Sequence, residues 1–182
     1  MSENNAMLDK SVSLTTANIV TMVLAIPLLA IFVPLFIFIW DAERLSAGAD
    51  AISTYPLIAI GLFISGIVVH ELLHGITWQA LSGKWDAVKY GFKWTALAPY
   101  AHMKARISAG QYRVGVWMPG MVVGVLTLVI SLIIGNGALF WFGILFTWTA
   151  GGDAIIWWLL RDVPNDAEIE DHPSRAGCYV YL

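Results

Sequence analysis

A single cysteine, Cys178, stands among 182 residues. Its solitude excludes an intrachain disulfide and any cysteine-built zinc site, so a metal would have to draw on His, Asp or Glu. Charge is as scarce. Asp, Glu, Lys and Arg make up 13% of the chain, against about a quarter of an ordinary soluble domain. Hydrophobic residues make up 58%, and mean hydropathy is +0.71. This composition is that of an integral membrane protein with little soluble mass. The formal charge of -3, with basic residues not gathered into a stripe, excludes a nucleic-acid partner. The polar stretch Met1 to Thr16 lacks the short apolar core and small-residue cleavage site of a signal peptide, so the first hydrophobic run is expected to be a retained span. There is no internal repeat and no low-complexity segment.

Four runs reach the roughly 20 apolar residues that a bilayer crossing takes: about 18–40, 52–81, 112–135 and 138–160. Backbone facing lipid must satisfy its own hydrogen bonds, so these runs are expected to be helices. The expected fold is therefore an all-α polytopic membrane protein, one membrane domain over 1–182, with four transmembrane helices. Pro27 and Pro34 should bend the first. Loop charges orient the spans. The loop 82–111 holds Lys84, Lys89, Lys93, Lys104 and Arg106 against Asp86, whereas 41–51 holds Asp41, Glu43 and Asp50 against Arg44. The positive-inside rule puts the basic loop in the cytoplasm, together with both termini and the tail 161–182. Trp40 and Trp141 then read as anchors near the outer interface, and Trp78, Trp157 and Trp158 near the inner one. The acidic stretch from Asp162 to Asp171 reads as solvated tail.

Within the basic loop, Val88, Tyr90, Phe92 and Trp94 alternate with Lys89, Gly91, Lys93 and Thr95, and a second extended run covers Tyr100 to Lys104. Period-two alternation predicts a small cytoplasmic β-hairpin-like insertion between helices 2 and 3, with a break at Ala98-Pro99. Such a sheet could take up an extended peptide as an added strand, with Phe92, Tyr100 and His102 as candidate substrate-binding residues. Ser108-Ala109-Gly110-Gln111 reads as a capping box opening the third helix. Gly120 and Gly124, four apart after Pro119, allow close helix packing.

The second span contains His70-Glu71-Leu72-Leu73-His74. On a helix the two histidines are one turn apart on the same face, so both imidazoles can reach one Zn²⁺. Glu71 is placed to act as general base on a zinc-bound water. Ionisable groups are expensive inside a membrane and mark function there. A catalytic zinc takes three protein ligands and keeps one position open. Asp153, the acid of the fourth span, lies at the depth of the two histidines and is the first choice for the third ligand. His102 and His172 remain alternatives.

These residues resemble the site-2-protease group of intramembrane zinc proteases, in which HExxH lies on one transmembrane helix and an Asp on a later helix completes the ligand set. The matching positions are His70, Glu71, His74 and Asp153. The chain more closely resembles a small bacterial membrane family termed "putative zincin peptidase". That resemblance is carried by HELLHG, Pro99-Tyr100-Ala101-His102, Gln111-Tyr112 running into Met118-Pro119-Gly120, Ala150-Gly151-Gly152-Asp153 and Asp171-His172-Pro173. Better-known site-2 proteases carry Asp-Gly at the third ligand, whereas Asp153 is followed by Ala154. The resemblance implies a metallopeptidase in a bacterial cytoplasmic membrane, with one Zn²⁺ per chain. Its substrate would be a membrane-embedded or membrane-anchored protein cut near the cytoplasmic face. The competing expectation is a non-catalytic membrane binding or regulatory protein with a structural metal. Four spans make a small enclosure, and a homodimer would enlarge it.

Overall fold

The computed structural model describes residues 7–94 and 98–182. Its elements run β1 (Met7–Val12), α1 (Leu14–Trp40), α2 (Ala42–Thr54), α3 (Pro56–Ser82), β2 (Val88–Lys93), β3 (Ala98–Met103), β4 (Ile107–Ser108) and α4 (Ala109–Pro119). A π-helical stretch (Gly120–Leu126) then leads into α5 (Thr127–Ile134), α6 (Gly137–Thr149), α7 (Gly151–Leu159), β5 (Glu168–Asp171) and β6 (Ala176–Tyr181). Four helical stretches are long and apolar enough to cross a membrane: Leu14–Trp40, Pro56–Ser82, Ala109–Ile134 and Gly137–Leu159.

The chain is mostly helical but not all-α, because it also carries two small sheets. One is the β2–β3 hairpin that alternation in the basic loop predicts, paired from Val88 opposite Met103 to Lys93 opposite Ala98. The other, in the order β1-β6-β5-β4, draws on the N-terminus and the tail. It corrects the expectation of a solvated tail. Ile169, Cys178 and Val180 point inward and are almost fully buried, which the unpaired tail of a membrane protein would not achieve. Met7 pairs with Tyr181, so this strand signal is spread across the ends of the chain.

By internal contacts the chain forms two compact units. The first gathers the N-terminal residues to Asn18, Glu71–Met118 and Gly152–Leu182. Its core is built by Trp78, Met103, Ile107, Tyr112, Ile169 and Val180. The capping box holds here: the Gln111 backbone N–H donates to Ser108 Oγ at 3.3 Å, and the Ser108 backbone N–H donates to Gln111 Oε1 at 3.2 Å. These reciprocal bonds satisfy two of the donors a helix start leaves orphaned.

The second unit holds Ile19–His70 and Pro119–Gly151. Helix α1 runs through Pro27 and Pro34 without interruption. The expected loop 41–51 is instead helix α2, capped where Asp41 Oδ1 accepts the Arg44 N–H at 2.8 Å. Glycines set how closely α6 is approached. A Cβ at Gly48 would lie 2.1 Å from the Gly137 carbonyl carbon, and one at Gly124 would lie 2.7 Å from Thr147 N. Small residues are therefore required at both places. Trp40 and Trp141 tie helices together within this unit, donating to Leu132 O at 2.6 Å and Leu45 O at 3.3 Å.

Candidate metal centre

Helix α3 opens with Pro56 in its first turn and ends before Gly83, whose φ of 69° supplies the left-handed turn that stops a helix. Between these ends the helix fixes the HELLH side chains. One ligand atom from each of His70, Glu71 and His74 lies within 4.8 Å of the others. The unit boundary falls between His70 and Glu71, so it is the continuous helix itself that relates the three. Among the described residues they form the group of three placed to share a metal.

His74 is buried and held from three sides. Its Nδ1 meets Gly115 O at 2.9 Å, and its Nε2 faces Asp153 Oδ1 at 3.4 Å. Its ring stacks on Trp78 at 5.3 Å, which in turn stacks on Tyr112 at 5.3 Å. The carbonyl bond requires a proton on Nδ1, so Nε2 is the nitrogen that faces Asp153 and that would bind a metal. This arrangement orients metal-binding histidines generally. Gly115 can lend its carbonyl for a reason written in the sequence. Four residues later stands Pro119, which has no N–H to close the helical bond back to Gly115. Gly115 also has to be glycine, since a Cβ there would lie 2.0 Å from Trp78 Nε1.

Asp153 sits in the first turn of α7, after the helical break at Ala150. Two zinc ligands at about 2.0–2.1 Å in tetrahedral array stand roughly 3.3 Å apart. The 3.4 Å between His74 Nε2 and Asp153 Oδ1 fits that separation. Imidazole and carboxylate are also donors that suit zinc.

Glu71 points to the hairpin. Its Oε2 accepts the Ala101 N–H at 2.9 Å. The hairpin therefore lies alongside the last turns of α3, an arrangement Tyr90 reinforces by donating to Gln79 Oε1 at 3.1 Å and by filling the space over Gly75. Burial holds the Tyr90 hydroxyl above its usual pKa, so it remains a donor.

The other candidates have partners elsewhere. His102 Nδ1 meets Asp171 Oδ2 at 3.1 Å, and the hydrogen bond to that carboxylate raises its pKa above 6.5. His172 Nδ1 accepts the Ser174 and Arg175 N–H groups at 3.1 and 2.9 Å, and its Nε2 meets the Tyr179 hydroxyl at 3.1 Å. Tyr100 is half-buried over Gly91, and Phe92 is exposed, edge-on to Trp94. Burial pushes the Cys178 thiol up to about 12, so it stays protonated.

Sequence reasoning misses two parts of this site. Trp78, expected as an interfacial anchor, is only 4% exposed and sits in the ring stack instead. Asp171, expected in a solvated tail, accepts the Tyr112 hydroxyl and, at 3.1 Å, the Met103 N–H. No signal in the sequence marks the first, because the stack forms only once α4 meets α3. The Asp171-His172-Pro173 motif marks the second without showing what it touches.

Residues 63–167, more than half of the chain, match the model of a family described as "putative zincin peptidase". The chain belongs to this family. Membership supports a metallopeptidase that uses zinc. The matched segment includes His70, Glu71, His74, the hairpin and Asp153, and ends before Asp171. The chain matches no curated protein and no solved structure.

Proposed function

We propose that this protein is an intramembrane zinc metallopeptidase of the site-2-protease kind. In this reading it cuts a membrane-embedded or membrane-anchored protein near the cytoplasmic face. His70, His74 and Asp153 hold one Zn²⁺, and Glu71 is the general base. The observation that carries the reading is the environment of His74. One ring nitrogen is committed to Gly115 O and the other is presented to Asp153 across a ligand-to-ligand distance. When bound, zinc supplies Lewis acidity, polarising the scissile carbonyl and lowering the pKa of water to about 7. Glu71 takes a proton from the attacking water as its oxygen joins the carbonyl carbon. It returns the proton to the amine as the C–N bond breaks. The β2–β3 hairpin beside Glu71 supports an extended rather than helical substrate, because a helix hides its amides in its own hydrogen bonds. The basic loop argues for a cytoplasmic hairpin and cytoplasmic termini in a bacterial inner membrane.

The test is elemental analysis of the full chain purified in detergent, together with cleavage assays. The parent and Glu71→Gln should each hold about one zinc, and only the parent should hydrolyse peptide bonds. Asp153→Ala should lose the metal. Hydrolysis by Glu71→Gln would overturn the mechanism. Zinc retained by Asp153→Ala would remove Asp153 from the ligand set. The second reading, a non-catalytic protein with a structural metal, draws on Glu71 being hydrogen-bonded to Ala101 N–H. It expects Glu71→Gln to leave every property of the protein unchanged.

A further inference from the structure

Strand β3 is an edge strand whose outward donors are all spoken for. It pairs with β2 on one side only. Ala101 turns its N–H to Glu71, and Met103, two residues on, turns its N–H to Asp171. Residues two apart in a strand face the same edge. The third position on that edge is Pro99, which has no N–H to offer. One proline and two carboxylates therefore cap the edge, as proteins cap edges against unwanted pairing. A substrate strand that adds to an antiparallel edge needs those same donors for its carbonyls.

The two caps differ in kind. Asp171 is tied three ways, to Met103 N–H, to the Tyr112 hydroxyl and to His102. It holds its end of β3 whether or not substrate is present. Glu71 is the residue that the proposed chemistry requires to be at work elsewhere.

We propose that the Ala101 amide is a specificity-determining donor of this site: it holds Glu71 in the free protein and passes to a backbone carbonyl of an extended substrate, freeing Glu71 for the attacking water. The inference rests on the peptidase reading for the role of Glu71, and on the capped edge for the exchange itself. Glu71 is then available as a base only while an extended peptide occupies β3. A chain still wound into a helix has no carbonyl to give Ala101 and leaves the base engaged.

The experiment measures binding, not turnover. The full chain, zinc-loaded in lipid nanodiscs, is titrated with a fluorescent acetyl-(Val-Thr)₃-amide peptide. Glu71→Gln keeps an acceptor for Ala101 N–H; Glu71→Ala removes it, and neither hydrolyses. Losing the competing cap should tighten peptide binding to Glu71→Ala by about 3- to 10-fold over Glu71→Gln, the factor that one net hydrogen bond carries. Adding Ala101→Pro to Glu71→Ala deletes the donor on the edge that β2 does not use, and should abolish the gain. Equal affinity in the two Glu71 variants, or no binding in either, overturns the exchange. So does a gain that survives Ala101→Pro. If the proline variant does not fold, the comparison of the two Glu71 variants decides alone. Zinc content of the same samples separates the two claims. Zinc without the gain refutes the exchange and leaves the peptidase reading standing; the gain without zinc does the reverse.

Discussion

Gly115→Ala sets two effects of opposite sign against each other. Helix α4 holds Gly115 in its interior, where replacing glycine by alanine ordinarily stabilises by about 1 kcal/mol. Here the new Cβ would lie 2.0 Å from Trp78 Nε1 and 2.2 Å from Cδ1. The indole has little room to slide, because it is buried between the His74 and Tyr112 rings. Overpacking of this kind costs about 1–3 kcal/mol. Shifting the ring also breaks its 3.1 Å bond to Tyr112 O, a loss of about 1–3 kcal/mol for a buried donor left unpaired. The clash should win, leaving the variant about 2–4 kcal/mol less stable. That corresponds to a melting temperature lower by roughly 5–10 °C for a chain of this size. The carbonyl at position 115 is backbone and survives the substitution, but His74 loses its stacking partner, so zinc affinity should fall about 10-fold. Gly61→Ala is the control: it lies inside α3 with open space around its would-be Cβ, and should be neutral or slightly stabilising. Thermal unfolding in detergent and competition with a zinc chelator give the two readouts. A Gly115→Ala protein that melts at or above the parent and keeps its zinc affinity would refute the account of the ring stack and of Gly115.

Pro119→Ala should separate stability from metal binding. It restores an N–H that competes for Gly115 O but trims a fully buried ring, so the two effects on melting oppose each other while zinc affinity falls; unchanged zinc affinity would break the link drawn from Pro119 to His74. Asp171→Ala removes the acceptor of a buried tyrosine hydroxyl and of the Met103 amide, a loss of about 2–4 kcal/mol. Hydrogen exchange should accelerate across 98–103, and unchanged protection there would show that Asp171 does not hold β3. His102 contributes a pH dependence of definite sign. Its folded pKa is raised above 6.5 by Asp171, against the opposing effects of burial and of Lys89. The His102–Asp171 pair therefore stabilises fully below about pH 6.5, and this contribution is lost as pH rises through the raised value. The half-exposed setting limits it to about 0.5 kcal/mol. The difference in melting temperature between the parent and His102→Gln should shrink from pH 5.5 to pH 8.5, and a difference that grows would reverse the assignment.

The parts of this protein legible in its sequence are those governed by local rules. The long apolar runs fix four helices because lipid leaves a backbone no other partner, and the HELLH spacing fixes three side chains because a helix has one period. The hairpin is readable because Val88, Tyr90 and Phe92 alternate with lysine and glycine, and the cap at Ser108–Gln111 because it is complete within four residues. What stays hidden depends on pairing across the chain. Strand β1 shows only six mostly polar residues until Tyr181 is set beside Met7, and Asp171 looks like one more acid in an acidic tail until Met103 and Tyr112 come to it.

Pro119 lies between these cases. Its effect on Gly115 is local, a missing donor four residues downstream, and any reader of the sequence could count it. That the spared carbonyl serves His74 is tertiary, because it requires α4 to lie against α3 at that turn. The same division explains why the candidate ligands on α3 are read from the motif, whereas the candidacy of Asp153 rests on its distance from His74. Helix period can place two histidines on one face, but only packing can bring a carboxylate from α7 to within a ligand's reach of one of them. The surroundings of His74 therefore argue for a metal more strongly than the motif does. HExxH recurs in helices for reasons of composition. A histidine anchored at Nδ1 by a proline-released carbonyl, backed by stacked rings and facing an aspartate, satisfies several independent requirements of a metal ligand together.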